Sequence, residues 1–318
     1  MNIIYSKTRG FHFQTIKELA ASWPQVKSHF NKNGFAILTT SDDTKQTALK
    51  TCRLFGKIQG HIRAPIDGVV DIRSESMGQN STQIISNLTF TAHTDGAYLE
   101  GMAVTNGRVF IVGPPKMIAL QCIQPAKEGG INYLIDGQKV LADLVQKHPD
   151  IALKLASLGS ISICRDQYLI ANAPIIRKMP TGLYAFRFNY DNDLYTTKEI
   201  MTAIKFFNQA YIQNKHYISY ISLKEKEILI FDNHRLLHGR TAFSGDRFLR
   251  RIWIWDENLP AVFNPQGLPY FGIQGKDIEA FKRYQPYLPV ELSFRTPKVE
   301  TIPTGIKLEI GYNKKFSI

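Results

Sequence analysis

Residues Ile228 to Trp255 read ILIFDNHRLLHGRTAFSGDRFLRRIWIW. Ile228-Leu229-Ile230-Phe231 is a short, wholly apolar run and reads as a buried strand; Leu249 to Trp255 reads as another. Between them the polar segment Asp232-Asn233-His234-Arg235 leads through Leu236-Leu237 to His238. The competing reading makes His234 and His238 an i,i+4 zinc pair on a helix. The strand-like run before them and the absence of a His-Glu-x-x-His motif argue against it.

Working upstream, more short strands are expected at Val69 to Ile72, Gln83 to Ile85, Phe90 to His93, Val109 to Val112, Met117 to Ile123 and Ile131 to Ile135, the last closing on an Asp136-Gly137 turn. Ile161 to Ile163 and Tyr184 to Phe188 alternate and suit strands. Val140 to Lys147 reads as a helix ending before Pro149, and Lys198 to Gln213 as an amphipathic helix with Ile200, Ile204, Phe207 and Tyr211 on one stripe. The N-terminal part is mostly helical, from Phe13 toward Phe30 with a break at Pro24 and a stop at Asn33-Gly34. The strand Phe35 to Thr39 follows, then a helix from Thr47 to Phe55 capped from Ser41-Asp42-Asp43. Many short strands with few helices predict a mainly β fold, an antiparallel barrel or sandwich with helices packed outside. After Asp256 the composition turns to Asn264-Pro265-Gln266-Gly267-Leu268-Pro269, and a helix is expected from Lys276 to Gln285. This gives a single domain in three parts: 1–60, a β core over 61–256, and an appendage over 257–318.

The chemistry concentrates on His93-Thr94-Asp95. On a strand, residues i and i+2 share a side, so the imidazole and the carboxylate can converge. His238 supplies a third donor. Two histidines and one carboxylate on one face of a metal leave the remaining positions open, the arrangement of non-haem Fe(II) oxygenases.

Four stretches carry a resemblance: GFAILTT from Gly34, AHTDGAYL from Ala92 to Leu99, PPKMIALQCIQPAKEGGINYLIDG from Pro114 to Gly137, and LIFDNHRLLHGRTAF with RFLRRIWI from Leu229 to Ile254. In this order the chain resembles the taurine dioxygenase-like (TauD/TfdA) family of Fe(II)/2-oxoglutarate oxygenases, with similarity to the γ-butyrobetaine hydroxylase branch. The resemblance implies a double-stranded β-helix (jelly roll) of the clavaminate synthase-like kind, with Fe(II) held by His93, Asp95 and His238. It also implies 2-oxoglutarate as cosubstrate, its far carboxylate paired with Arg247, nine residues after His238. Arg251, at i+4, shares a strand face with Arg247, and the resemblance implies that it faces the active site, where it can meet cosubstrate or an anionic substrate group; Arg250 is expected to point the other way. Where the family carries Thr or Ser against 2-oxoglutarate, this chain has Asn132, which can donate through its amide. The segment Ala97 to Gly113 is longer than usual and is expected as a loop beside the substrate entrance. Phe90, Tyr98, Phe243, Trp253 and Trp255 are read as barrel core, with Tyr98 also a substrate contact.

The expected activity is therefore O₂-dependent oxidation, by default hydroxylation, of a small molecule, with release of succinate and CO₂. Two alternatives remain beside it: a nucleic-acid demethylase using the same iron chemistry, and a non-catalytic jelly-roll binding protein. Thirty-nine Lys and Arg against 27 Asp and Glu give a net charge of +12, which favours the first alternative. The basic residues are dispersed, however, with no recognised nucleic-acid module. Three cysteines, Cys52, Cys122 and Cys164, fit neither a zinc site nor a disulfide framework. With no apolar leader and no membrane-length apolar run, a cytoplasmic protein is expected, without a membrane partner; a homo-oligomer is compatible with it.

Overall fold

The computed structural model describes residues 10–59, 67–74, 87–99, 101–105, 108–157, 159–165, 168–179, 182–190 and 194–255, together with the short strands Ile3–Ile4 and Leu308–Ile310. The expected strand at Gln83 to Ile85, the helix from Lys276 and the turn-rich Asn264 to Pro269 lie outside the described residues.

Two sheets face each other. The larger runs Gly10–His12, Phe35–Thr39, Glu227–Asp232, Met117–Gln124, Phe248–Trp255 and Lys57–Gln59, with Val69–Arg73 also paired to Phe248–Trp255. The smaller runs Ile3–Ile4, Ile218–Ile221, Asn132–Asp136, Leu236–Arg240 and Phe90–His93. Most pairs are antiparallel; the first pair of each sheet is parallel. Along the chain the strands alternate between sheets: Phe90–His93 in the smaller, Met117–Gln124 in the larger, Asn132–Asp136 in the smaller. After the helical insertion, Glu227–Asp232, Leu236–Arg240 and Phe248–Trp255 alternate again. This winding is a double-stranded β-helix, a jelly roll.

The pleat explains the unbroken apolar runs. Leu229 and Phe231 point between the sheets, with Ile37, Ile118, Leu120, Leu134 and Trp253 in the same core. Ile228 and Ile230, with Ala36, Leu38, Ala119, Ile252 and Ile254, point to the other side of the larger sheet. There they meet Leu19, Val26, Phe30, Ala48 and Leu49 of the N-terminal helices. A strand covered on both faces is apolar at every position, as parallel-sheet strands are, even though this sheet is antiparallel.

The helices start and stop where local chemistry dictates. Thr15 caps Ile16–Ala21 by accepting from the Glu18 amide at 3.1 Å. Pro24 lies in the first turn of Trp23–Asn33, where its missing N–H costs nothing, so it begins a helix rather than breaking one. Gly34 ends that helix at φ 79°, a left-handed conformation that glycine adopts without strain. Two sequence expectations are corrected here. The cap of Lys45–Arg53 is Thr44, itself held by Asp42, rather than a residue of Ser41 to Asp43. Asp136-Gly137 is not a turn: Asp136 accepts from the Gln138 amide and caps the helix Gly137–Lys147. The long amphipathic helix is Lys198–Phe207, continued by a π-turn at Asn208–Ile212. Among the described residues no helix is long and apolar enough to cross a membrane.

Candidate active site

His93 and His238 face each other across the adjacent antiparallel strands Phe90–His93 and Leu236–Arg240, with ring centroids 4.2 Å apart. Asp95 reaches them from a turn rather than from the strand, which ends at His93. Its Oδ1 lies 3.4 Å from His93 Nε2 and 3.8 Å from His238 Nε2. One donor atom from each of the three lies within 4.8 Å of the other two, and all three residues are buried.

The turn is built for this. Gly96 takes φ +69° and sits so close to Pro115 that a Cβ would lie 2.7 Å from Pro115 Cδ. Thr94 and Phe188 exchange bonds: the Thr94 amide donates to Phe188 O, and the Phe188 amide to Thr94 Oγ1. Arg187 donates to Ala97 O at 2.7 Å. Asn233, fully buried, clasps Asp95 from the side of His238: its Oδ1 accepts from the Asp95 amide at 2.8 Å, and its Nδ2 donates to Asp95 O and Pro115 O, both at 2.9 Å. Asp232 shapes the turn that presents Asn233, accepting from the amides of His234 and Arg235 and from Lys116 Nζ at 2.6 Å.

The protonation states suit metal binding. His93 Nδ1 lies 2.9 Å from Thr91 O; a carbonyl can only accept, so Nδ1 carries a proton and Nε2 is the nitrogen turned toward Asp95. Burial, then the neighbouring His93, push His238 down to about 3, against the pull of Asp95, so its ring is neutral at physiological pH. Burial alone would raise Asp95. Arg251 and the two neighbouring histidines together outweigh it and hold the carboxyl well below the usual range. Arg251 Nη1 lies 3.2 and 3.1 Å from the two Asp95 oxygens, and Trp253 Nε1 donates to Oδ2 at 2.8 Å.

A cavity beside His238 is lined by Asn132, Arg240, Arg247 and Arg251 on its polar side and by Leu120 and Leu249 on its apolar side. Arg247 is buried; its Nη2 meets Asn132 Oδ1 at 3.4 Å and its guanidinium lies 5.6 Å from the Phe243 ring centroid. Burial, then the nearby Arg240, draw its pKa down to about 10, and among the described residues no carboxylate pairs with it.

The sequence-predicted residues thus fall into groups. His93, Asp95 and His238 come together, and Asn132, Arg247 and Arg251 line the adjoining cavity. Arg250 points to the opposite face, toward Asp43 O, Gln121 and Asp71. Tyr98 is buried in the core between the sheets and is not among the cavity-lining residues described. His234, the rejected zinc candidate, is 3.2 Å from Pro114 O through Nε2 and stands apart from the triad. The expected entrance loop contains a hairpin, Gly101–Thr105 paired with Arg108–Val112. Sequence reading missed Asn233 and treated Trp253 and Phe243 as packing alone. For Trp253 a signal existed: it lies two residues from Arg251 and so on the same strand face.

A family model described as Taurine catabolism dioxygenase TauD, TfdA family matches residues 5–253. The chain belongs to that family. Among curated proteins, the chain is 28% identical over 152 residues to a uridine-5'-phosphate dioxygenase of a Streptomyces species, covering 45% of this chain and 55% of that protein. It is 22% identical over 252 residues to the mitochondrial trimethyllysine dioxygenase of Bos taurus, covering 74% and 56%. The chain therefore spans little more than half the length of these two relatives. Among solved structures, an asparagine oxygenase in complex with Fe(II), 3-hydroxyasparagine and succinate superposes with a TM-score of 0.58 at 15% identity, covering 74% of this chain and 79% of that one. That likeness is one of fold, and it agrees with the jelly roll described above.

Proposed function

We propose that this TauD-family protein is an Fe(II)- and 2-oxoglutarate-dependent dioxygenase that hydroxylates a C–H bond of a small molecule, yielding the alcohol, succinate and CO₂. The observation that carries the reading is the union of a two-histidine, one-carboxylate donor set with an adjoining cavity whose buried arginine, Arg247, meets no carboxylate among the described residues. Imidazole nitrogens and an ionised carboxylate are donors Fe(II) takes, and three protein ligands leave positions for cosubstrate and O₂. When bound, the iron supplies the oxidation: one oxygen atom of O₂ enters succinate and the other the substrate C–H bond.

The residues of the chain do the rest. His93, Asp95 and His238 hold the metal through Nε2, Oδ1 and Nε2. Arg247 orients 2-oxoglutarate by a charge-assisted pair with its far carboxylate, which restores a counter-charge to a buried cation. Asn132 turns its carbonyl oxygen to Arg247, so its amide N–H₂ donates toward the same cosubstrate. Arg251 and Leu120 wall the cavity and limit water at the reacting centre. The relatives named above for a nucleotide, a trimethylated lysine and an asparagine support a small-molecule substrate.

The test is a panel of amino acids, methylated amines and nucleotides incubated with protein, Fe(II), 2-oxoglutarate and O₂. Succinate release that needs all three, with a product heavier by one oxygen atom, is the expected result. Succinate formed equally by His238→Ala would overturn the proposal.

A further inference from the structure

Asp95 offers two carboxylate oxygens, and they live in different surroundings. Oδ1 is the oxygen that both histidine Nε2 atoms approach, at 3.4 and 3.8 Å. Oδ2 faces the other way, accepting from Trp253 Nε1 at 2.8 Å, with Arg251 Nη1 at 3.1 Å. The indole is 2% exposed and packed in the core between the sheets, so it has no freedom to follow a carboxylate that rotates away. Trp253 reaches Asp95 from the larger sheet, whereas both histidines stand on the smaller one.

We infer that Trp253 is a positioning residue for the metal: its indole N–H holds Oδ2 and so presents Asp95 to the ion through Oδ1 alone. This inference rests on the metal-site reading above and deepens it. A carboxylate that used both oxygens would fill a further position on the ion, one the cosubstrate or O₂ requires. A donor fixed to Oδ2 prevents this and also orders the side chain before the metal arrives. Such outer partners of metal ligands change metal affinity by about 10- to 100-fold when removed. Arg251 shares the contact to Oδ2, but it also contacts Oδ1 and lines the cavity, so it does not by itself select one oxygen.

The same strand supplies a control. Trp255, two residues on, is fully buried, and its indole nitrogen has no hydrogen-bond partner among the described residues. Trp255→Phe therefore removes an indole ring and N–H of the same kind without touching Asp95.

The experiment titrates Co(II), an air-stable probe with a coordination-sensitive visible spectrum, into wild type, Trp253→Phe and Trp255→Phe. Folding is followed by circular dichroism and thermal melting. Trp253→Phe is expected to bind Co(II) about 10- to 100-fold more weakly and with an altered visible spectrum. Trp255→Phe is expected to keep wild-type affinity and spectrum, whatever both variants lose in melting temperature. Equal affinity and identical spectra for Trp253→Phe and wild type would overturn the inference. Failure of wild type to bind Co(II) would instead overturn the metal-site reading on which it rests. If Trp253→Phe does not fold, the wild-type indoles decide. The chain has three tryptophans, so Trp23→Phe and Trp255→Phe assign the ¹⁵N indole resonance of Trp253 by elimination. That resonance must move on Zn(II) addition while that of Trp255 stays; an unmoved Trp253 resonance refutes the role.

Discussion

Asn233→Asp changes one atom of a fully buried side chain, and the structure fixes what that atom does. Oδ1 still accepts from the Asp95 amide. The nitrogen that donated to Asp95 O and Pro115 O, both at 2.9 Å, becomes an oxygen facing two carbonyls. Two buried acceptors lose their donor, at about 1–3 kcal/mol each. If the new carboxyl takes a proton instead, it serves one of the two carbonyls and carries the cost of protonation at neutral pH. The expected loss at pH 7.5 is therefore about 3–5 kcal/mol. Asn233→Ala removes more atoms but adds no charge and opens room for water, so Asp should be at least as damaging as Ala despite its matched shape. Burial raises the pKa of the new carboxyl in the folded state. The deficit therefore shrinks as pH falls below that raised value, by at most about 1.4 kcal/mol per pH unit. Urea unfolding of wild type and both variants at pH 7.5 and 5.5 measures all of this. A variant within 1 kcal/mol of wild type (about a fivefold change in the folding equilibrium), or a deficit that does not change with pH, would refute the reasoning.

Other expectations are equally direct. Arg247→Ala should raise the 2-oxoglutarate concentration for half-saturation by about 10- to 150-fold, the loss of a charge-assisted pair of about 1.5–3 kcal/mol, measured by calorimetric titration of the metal-loaded protein. Arg235 grips Asp136 at 3.1 and 2.7 Å and donates to Asn31 O and Lys32 O at the end of the helix Trp23–Asn33. Arg235→Met should cost about 2–3 kcal/mol in urea unfolding and leave 2-oxoglutarate affinity unchanged. His234 is pushed down to about 4 by burial, then by Lys116. The unfolded chain, with an ordinary histidine near 6.5, takes up the proton first, so this contribution is intact above about pH 6.5 and is lost as pH falls toward 4. His234→Gln should flatten the fall in urea midpoint between pH 7 and pH 4.5, and an equally steep fall in the variant would reject the assignment.

Much of this was legible in the sequence where information is local. The apolar run at Ile228 to Phe231 and the largely apolar Ile252 to Trp255 mark strands because each is buried on both faces, and Asn33-Gly34 marks a stop because only a left-handed residue ends that helix economically. The order of His93, Asp95 and His238 within family-like stretches pointed to one cluster. What sequence reading missed is long-range. Asn233 meets Asp95 across 138 residues, and Trp253 meets it across 158. No period or motif encodes such a bond; it depends on which strands the jelly roll lays opposite each other. Local competition explains the smaller errors. Asp136-Gly137 carries turn residues, but Asp136 is also a good cap, and the apolar Val140, Leu141 and Leu144 that follow decide for a helix.

The most direct test of the central claim is an anaerobic titration of Fe(II) and 2-oxoglutarate into wild type and His238→Ala, read by calorimetry and by visible absorption of the iron–2-oxoglutarate chelate. Wild type should bind one Fe(II) per chain and then 2-oxoglutarate, with the visible band appearing only when both are present. His238→Ala, folded by circular dichroism, should give neither tight Fe(II) binding nor the band. One equivalent of Fe(II) bound with wild-type affinity by His238→Ala, or 2-oxoglutarate bound as tightly without metal as with it, would contradict the account.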